Sequence, residues 1–126
     1  MKKKIISIVI SVIILAAIVI LTIYLTKPKN PILSRMDEFA ICISDKGAKM
    51  YGAYWCPHCI NQKESFAGSW QHINYIECSL PNKQGQIDAC KNAEIEGCPT
   101  WEFSDGSRVS GEMTFQELSE KTGCQI

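Results

Sequence analysis

An uncharged run of 22 residues, Ile5 to Thr26, constrains this chain more than any other feature. At ~1.5 Å rise per residue it makes a helix of about 33 Å, enough to cross a ~30 Å hydrocarbon core. What remains is 100 residues, room for one small domain and not two. All seven cysteines lie in that remainder. Thirteen basic and thirteen acidic residues balance over the whole chain, but Lys2, Lys3 and Lys4 precede the apolar run. Residues 27–126 therefore carry ten basic and thirteen acidic groups, a net charge of −3. No basic patch is left to bind nucleic acid. A multidomain protein, a nucleic-acid binder and a disordered tail are excluded.

The three lysines ahead of the apolar run favour a cytoplasmic N-terminus, which places the rest of the chain on the far side of the membrane. A cleaved secretory signal is the alternative, but its apolar core spans about 7–15 residues and ends in small residues. Here the run is longer and ends Leu21-Thr22-Ile23-Tyr24-Leu25-Thr26, without such a site. An uncleaved anchor is expected. Either way the cysteine-rich part is exported, to where disulfides form and persist. The expected layout is a cytoplasmic N-terminus (1–4), a single-pass transmembrane signal anchor (5–26), a linker (27–34) and a folded extracytoplasmic domain (35–126).

Lys27-Pro28-Lys29-Asn30-Pro31 cannot continue a helix and reads as a tether. Ser34 is suited to cap a helix, with Asp37 three residues on, and Met36, Phe39, Ala40 and Ile43 then fall on one stripe. Gly47 is placed to end it. Lys49 to Trp55 has no helical period and predicts a strand that runs into Cys56-Pro57-His58-Cys59, after which Ile60 to Ala67 is helical. Ile73 to Cys78 is a second strand, and Gln86 to Ile95 a short helix. Thr100–Ser104 and Arg108–Ser110 are strands joined by the hairpin signal Asp105-Gly106. Thr114 and Glu117 match a capping box before a last helix that ends at Gly123. The order is α-β-α-β-α-β-β-α, an α/β pattern.

Two thiols at i and i+3 on a first helical turn are close enough to form a small disulfide ring. Cys56 would sit at the helix N-terminus, where unpaired N–H groups and the macrodipole favour a thiolate. Pro57 fits the first helical position, where a missing N–H costs nothing. His58 adds positive charge or a donor nearby. Each stabilises the dithiol's thiolate form and so makes the disulfide a better oxidant. Such motifs span on the order of 150 mV in potential, ~7 kcal/mol for two electrons. The competing reading is half of a zinc site, but a Cys-x-x-Cys joining strand to helix in an α/β pattern points to redox chemistry.

Trp55-Cys56-Pro57-His58-Cys59 after a strand, with Gly97-Cys98-Pro99-Thr100 about 40 residues later, resembles the thioredoxin-fold oxidoreductases. The sequence is more closely similar to the thioredoxin-like domain associated with vitamin K epoxide reductase homologues. The supporting segments are Tyr51 through Cys59, Gln62-Lys63-Glu64, Tyr75-Ile76-Glu77-Cys78, Cys90, Ile95-Glu96-Gly97 and Pro99-Thr100-Trp101. The likeness covers roughly residues 35–125. It implies a thioredoxin-like fold, a central mixed β-sheet flanked by helices, in which Pro99 is cis and faces the dithiol. It also implies a relay. A quinone-linked membrane enzyme of the vitamin K epoxide reductase type oxidises the Cys56–Cys59 pair, which passes its disulfide to exported cysteine-containing proteins. One apolar span cannot house that membrane enzyme, so a separate partner is expected. The redox-active disulfide Cys56–Cys59 serves in place of any bound cofactor, and no metal is expected.

Two departures from the resembled pattern bear on chemistry. Many thioredoxins carry a buried acid six residues before the first cysteine, where this chain has Met50. Cys98 stands before the proline, where an apolar or hydroxyl residue is usual. It is either a small core hydrophobe, a trap for mixed disulfides, or the third ligand of a Cys56-Cys59-Cys98 metal site. Cys78 and Cys90 form a second pair with 11 residues between them, read either as a relay or as a staple worth up to ~3 kcal/mol. The staple is the expectation. Cys42 and Cys124 are left to pair with each other or remain free, since connectivity does not follow from sequence. Trp55 and Trp101 are expected as apolar cover at the site, and His72 as a surface residue in a loop.

The reading is a membrane-anchored thiol–disulfide oxidoreductase, oxidising by preference. Cys56 is the exposed nucleophile, Cys59 the resolving thiol, His58 a tuner of potential and Pro99 the shaper of the substrate edge. A reductase or isomerase, or a copper- or zinc-binding module, are the alternatives.

Overall fold

The computed structural model describes residues 2–25 and 31–126, which separate into two compact units, Met1–Pro31 and Ile32–Ile126. In the first, Lys2–Leu25 forms helix α1. After Lys2, Lys3 and Lys4 in its first turn, Ile5–Ile23 is long and apolar enough to cross a membrane. Thr26 and the tether residues 27–30 lie outside the described residues.

The second unit runs α2 (Pro31–Asp45), β1 (Lys49–Gly52), α3 (Pro57–Phe66), a 3-10 turn (Ala67–His72), β2 (Tyr75–Glu77), α4 (Asp88–Asn92), β3 (Thr100–Glu102), β4 (Arg108–Ser110) and α5 (Phe115–Thr122). Pro31 opens α2 at a position that tolerates proline, so Ser34, expected as its cap, lies within the helix. The four strands form one mixed sheet in the order β2-β1-β3-β4. β1 runs parallel to β2 and antiparallel to β3, with Met50 opposite Tyr75, Gly52 opposite Glu77 and Tyr51 opposite Thr100. β3 and β4 make the hairpin that Asp105-Gly106 signalled, with Gly106 at φ +79°.

The stripe on α2 faces the core. Phe39, Ala40 and Ile43 are fully buried with Met50, Phe66, Trp101 and Leu118, and Met36 is half-buried against them. A smaller cluster on the other side holds Tyr51, Cys78, Cys90 and Ile95. Disulfides join Cys42 to Cys124 and Cys78 to Cys90. At α5 both halves of the capping box are made: Glu117 N–H donates to Thr114 Oγ1 at 3.2 Å, and Thr114 N–H to Glu117 Oε2 at 2.7 Å. Gly123, at φ +75°, ends the helix.

Strands β2 and β3 are shorter than the sequence reading has them, and three further differences matter for the site. β1 stops at Gly52, because the Cys56 N–H donates to the Ala53 carbonyl and the chain turns, leaving Tyr54 and Trp55 exposed. α4 is confined to Asp88–Asn92. Gln86 instead bridges to Ser79, the Ile87 N–H donates to the Cys78 carbonyl, and Glu94 takes a positive φ of 53°. His72 ends the 3-10 turn and is half-buried, its Nε2 3.7 Å from Asp37 on α2.

Candidate active site

The turn after β1 delivers Cys56 to the N-cap of α3, with extended dihedrals (φ −77°, ψ 123°), and Pro57 in the first turn has no N–H to leave unpaired. Cys59 follows one turn on. Both thiols are free and nearly buried, 8% and 5% exposed. Across from them the Cys98–Pro99 peptide is cis. The Cys56 thiol donates to the Cys98 carbonyl at 3.3 Å, and the Ala53 N–H donates to Cys59 Sγ at 3.5 Å. The half-buried Cys98 is the third free thiol. Its hydrogen bond with Cys59 holds Cys98 below the usual thiol range. The same bond first, and burial second, push Cys59 well above that range.

The dithiol separates two clefts. One, of about 410 Å³, has Cys56, Cys98, Trp55, Gln86 and Glu96 in its walls and reaches Cys78. The other, of about 450 Å³, has Cys59, Tyr54, Tyr75 and Glu77 in its walls. Trp55 stands 46% exposed at the first cleft, its indole N–H fixed on Ser79 Oγ at 2.7 Å. Tyr54 is fixed by its hydroxyl on the Pro81 carbonyl at 2.7 Å.

His58 projects into solvent. Its Nδ1 meets Glu112 Oε1 at 2.6 Å, an oxygen that also accepts from Asn61 at 3.3 Å. The Glu112 carboxyl is held below its ordinary range by His58. Trp101, expected as cover at the site, lies fully buried in the core, where its indole N–H donates to Gln62 Oε1 at 3.3 Å. Cys78 and Cys90 are 1% and 0% exposed, although Cys78 backs the Cys56 cleft. Cys42 and Cys124 are bonded to each other, with Cys124 in the main core and Cys42 packed against it. Among the described residues, no group of three or more His, Cys, Asp or Glu side chains is placed to hold a metal.

Sequence reasoning gave no role to Gln62, Glu112, Tyr75 or Glu77. Gln62 is a polar residue at a buried position (2% exposed) whose amide holds α3 to the segment before α5. The signal available was its place three residues after Cys59, on the face of α3 that also carries Cys59 and Phe66.

Chemically this is a dithiol site: two free sulfurs one helical turn apart at the end of a central strand, against a cis X-Pro peptide. The chain is 42% identical over 107 residues to the thiol-disulfide oxidoreductase LTO1 of Arabidopsis thaliana. The match takes in 78% of this chain and 28% of the plant protein, so the chain spans under a third of the relative's length. No protein-family profile matches the chain.

Proposed function

We propose that this chain is a membrane-anchored thiol–disulfide oxidoreductase of thioredoxin-like fold, working outside the cytoplasm and donating disulfides to exported proteins. The observation that carries the reading is Cys56 at the N-cap of α3, its sulfur against the Cys98 carbonyl and its cleft walled by Trp55. The resemblance to LTO1 supports it. Lys2, Lys3 and Lys4 before the apolar helix support a cytoplasmic N-terminus.

In the oxidising direction, a substrate thiolate attacks Cys56 Sγ of the Cys56–Cys59 disulfide. The Cys56–Cys59 bond breaks, and Cys59 leaves with the electron pair and takes up a proton. A second substrate thiolate then attacks the substrate sulfur of the mixed disulfide and expels Cys56 as thiolate. The substrate loses two electrons and the dithiol gains them. A separate quinone-linked membrane enzyme of the vitamin K epoxide reductase type takes those electrons and restores the disulfide.

A reductase or isomerase is the second reading, favoured by His58. Its imidazole is partnered by Glu112, which offsets the positive charge that would otherwise stabilise a Cys56 thiolate. A redox titration of the full chain in detergent decides between the two. A potential between about −120 and −180 mV fits the donor, and one near about −270 mV fits the reductase. Cys56→Ser abolishes exchange and Cys59→Ser accumulates mixed disulfides if the assignment of roles is right. Exchange that survives Cys56→Ser overturns the assignment.

A further inference from the structure

The cleft on the Cys59 side takes no part in the exchange steps above, yet groups from separate elements converge at it. Gly52 ends β1 without a side chain. A Cβ at Gly52 would lie 3.1 Å from Cys59 Sγ, 3.1 Å from the Tyr75 hydroxyl and 2.7 Å from the Tyr75 ring. The thiol and the phenol therefore border one space that only glycine leaves free. The phenol donates to Glu77 Oε2 at 2.7 Å, and Glu77 Oε1 accepts from the Ser79 N–H at 2.8 Å. Tyr75 and Glu77 project from the same face of β2, and both line the cleft with Cys59.

Cys59 needs what this pair offers. Held high by the Cys98 thiol and by burial, it carries its proton at neutral pH and is a poor nucleophile until that proton is removed. β1 provides no carboxylate, and its residue paired with Tyr75 is the fully buried Met50. Besides Tyr75 and Glu77, the titratable groups around Cys59 are the thiols of Cys56 and Cys98. Tyr54, Lys63 and Glu64 also line the cleft.

We propose that Tyr75 and Glu77 form a proton relay for Cys59, with Tyr75 exchanging the proton with the sulfur and Glu77 passing it to the cleft. The inference rests on the exchange reading of the Cys56–Cys59 pair. When Cys59 resolves a mixed disulfide, its S–H proton moves to the Tyr75 oxygen as the phenolic proton moves to Glu77 Oε2. The Cys59 thiolate then attacks Cys56 Sγ. The Cys56–Cys59 bond forms, the bond from Cys56 to the substrate sulfur breaks, and that sulfur leaves as a thiolate. Run backwards, the same relay protonates Cys59 as it leaves the disulfide during substrate oxidation. Tyr75 is the group at the reacting sulfur, and Glu77 is a positioning residue that acts through it.

Ellman's reagent separates the two thiols in the reduced full chain in detergent. The first thionitrobenzoate release reports attack by Cys56 once peptide mapping places the adduct there and not on the half-buried Cys98 thiol. The second reports Cys59 resolving the adduct, and peptide mapping identifies its product as the Cys56–Cys59 disulfide. Tyr75→Phe and Glu77→Gln are expected to slow the second release at least about tenfold at neutral pH, with the first within twofold. In both variants the second rate should then climb about tenfold per pH unit, as hydroxide replaces the relay, while the parent's profile is flatter. A second release within twofold of the parent, or slowed with the parent's pH profile, overturns the relay and leaves the exchange reading standing. No first release from the parent overturns both. Should a variant not fold, the parent alone decides: a solvent deuterium isotope effect on the second release is expected, and its absence overturns the relay.

Discussion

Gln62 grips Met113 through both ends of its side-chain amide: Nε2 donates to the Met113 carbonyl at 3.1 Å and Oε1 accepts the Met113 N–H at 2.7 Å. The same oxygen accepts the Trp101 indole N–H at 3.3 Å. One buried amide thus ties the helix behind the dithiol to β3 and to the segment before α5.

Gln62→Leu should therefore destabilise the domain out of proportion to its volume change. It leaves two backbone groups and an indole N–H buried without partners, at about 1–3 kcal/mol each. A loss of roughly 3 kcal/mol corresponds to a fall in melting temperature of about 12 °C or more for a domain of this size. Near-ultraviolet circular dichroism of the full chain in detergent measures it. A fall under about 3 °C would show that the amide is dispensable.

Cys78 and Cys90 are 1% and 0% exposed, with only Cys78 bordering the Cys56 cleft. Their bond should stay oxidised in a glutathione buffer that reduces Cys56–Cys59, as structural disulfides do. Replacing both with serine should cost up to ~3 kcal/mol of stability while the oxidation of a reduced substrate persists. Mass spectrometry that finds mixed disulfides through Cys78 or Cys90 would make the pair a relay.

Cys98 and Cys59 share a hydrogen bond that moves their thiols in opposite directions. Removing Cys98 removes the largest cause of Cys59's elevation, so Cys98→Ala should raise the thiolate fraction of Cys59 at a given pH. Resolution of mixed disulfides should then become faster near neutrality. In the parent, Cys98 should be alkylated by iodoacetamide at lower pH than Cys59, which quantitative peptide mapping detects. The reverse order of labelling would refute the shared-proton arrangement.

Glu102 lies between two cations, 2.8 Å from Lys49 on β1 and bonded to Arg108 on β4 at 2.7 Å. Lys49, then Arg108, hold its carboxyl below the ordinary value of 4.5. A depressed carboxylate stabilises the folded state fully above its unfolded value, and the contribution is lost as pH falls through the lower folded value. Glu102→Gln should flatten the acid limb of the stability curve below about pH 4.5 and leave the limb above pH 7 unchanged. With both cations more than a third exposed, the effect should stay near 1 kcal/mol or less, measured by urea unfolding across pH. An unaltered acid limb would remove Glu102 from the account.

What sequence made legible was whatever depends on near neighbours. The stripe Met36-Phe39-Ala40-Ile43, the Asp105-Gly106 hairpin and the Thr114/Glu117 cap are each written within a few residues, and each forms. The Cys56-Pro57-His58-Cys59 run also reads locally, which is why the dithiol stood out. The grip of Gln62 on Met113 spans 51 positions and the contact of Cys56 with the Cys98 carbonyl 42. The space that Tyr75 and Cys59 share depends on a glycine in a third element. Such contacts exist only once β1, β2 and the Cys98–Pro99 segment are brought together, and no periodicity encodes them. Trp101 illustrates the same limit: its motif position suggested the active site, while tertiary packing took it into the core.

The bond between Cys42 and Cys124 turns nearly the whole second unit into a covalent ring, from the second half of α2 to beyond α5. Every sulfur, carboxylate and aromatic ring of the site lies on its circumference. A single protease cut anywhere on the ring leaves one molecule, its two pieces still joined. Tension applied to the chain ahead of Cys42 passes across the ring at the sulfur–sulfur bond to the last residues, so strands β1 to β4 are not unzipped in series. The ring therefore keeps the turn that carries Cys56 out of the path of any load on the chain ends.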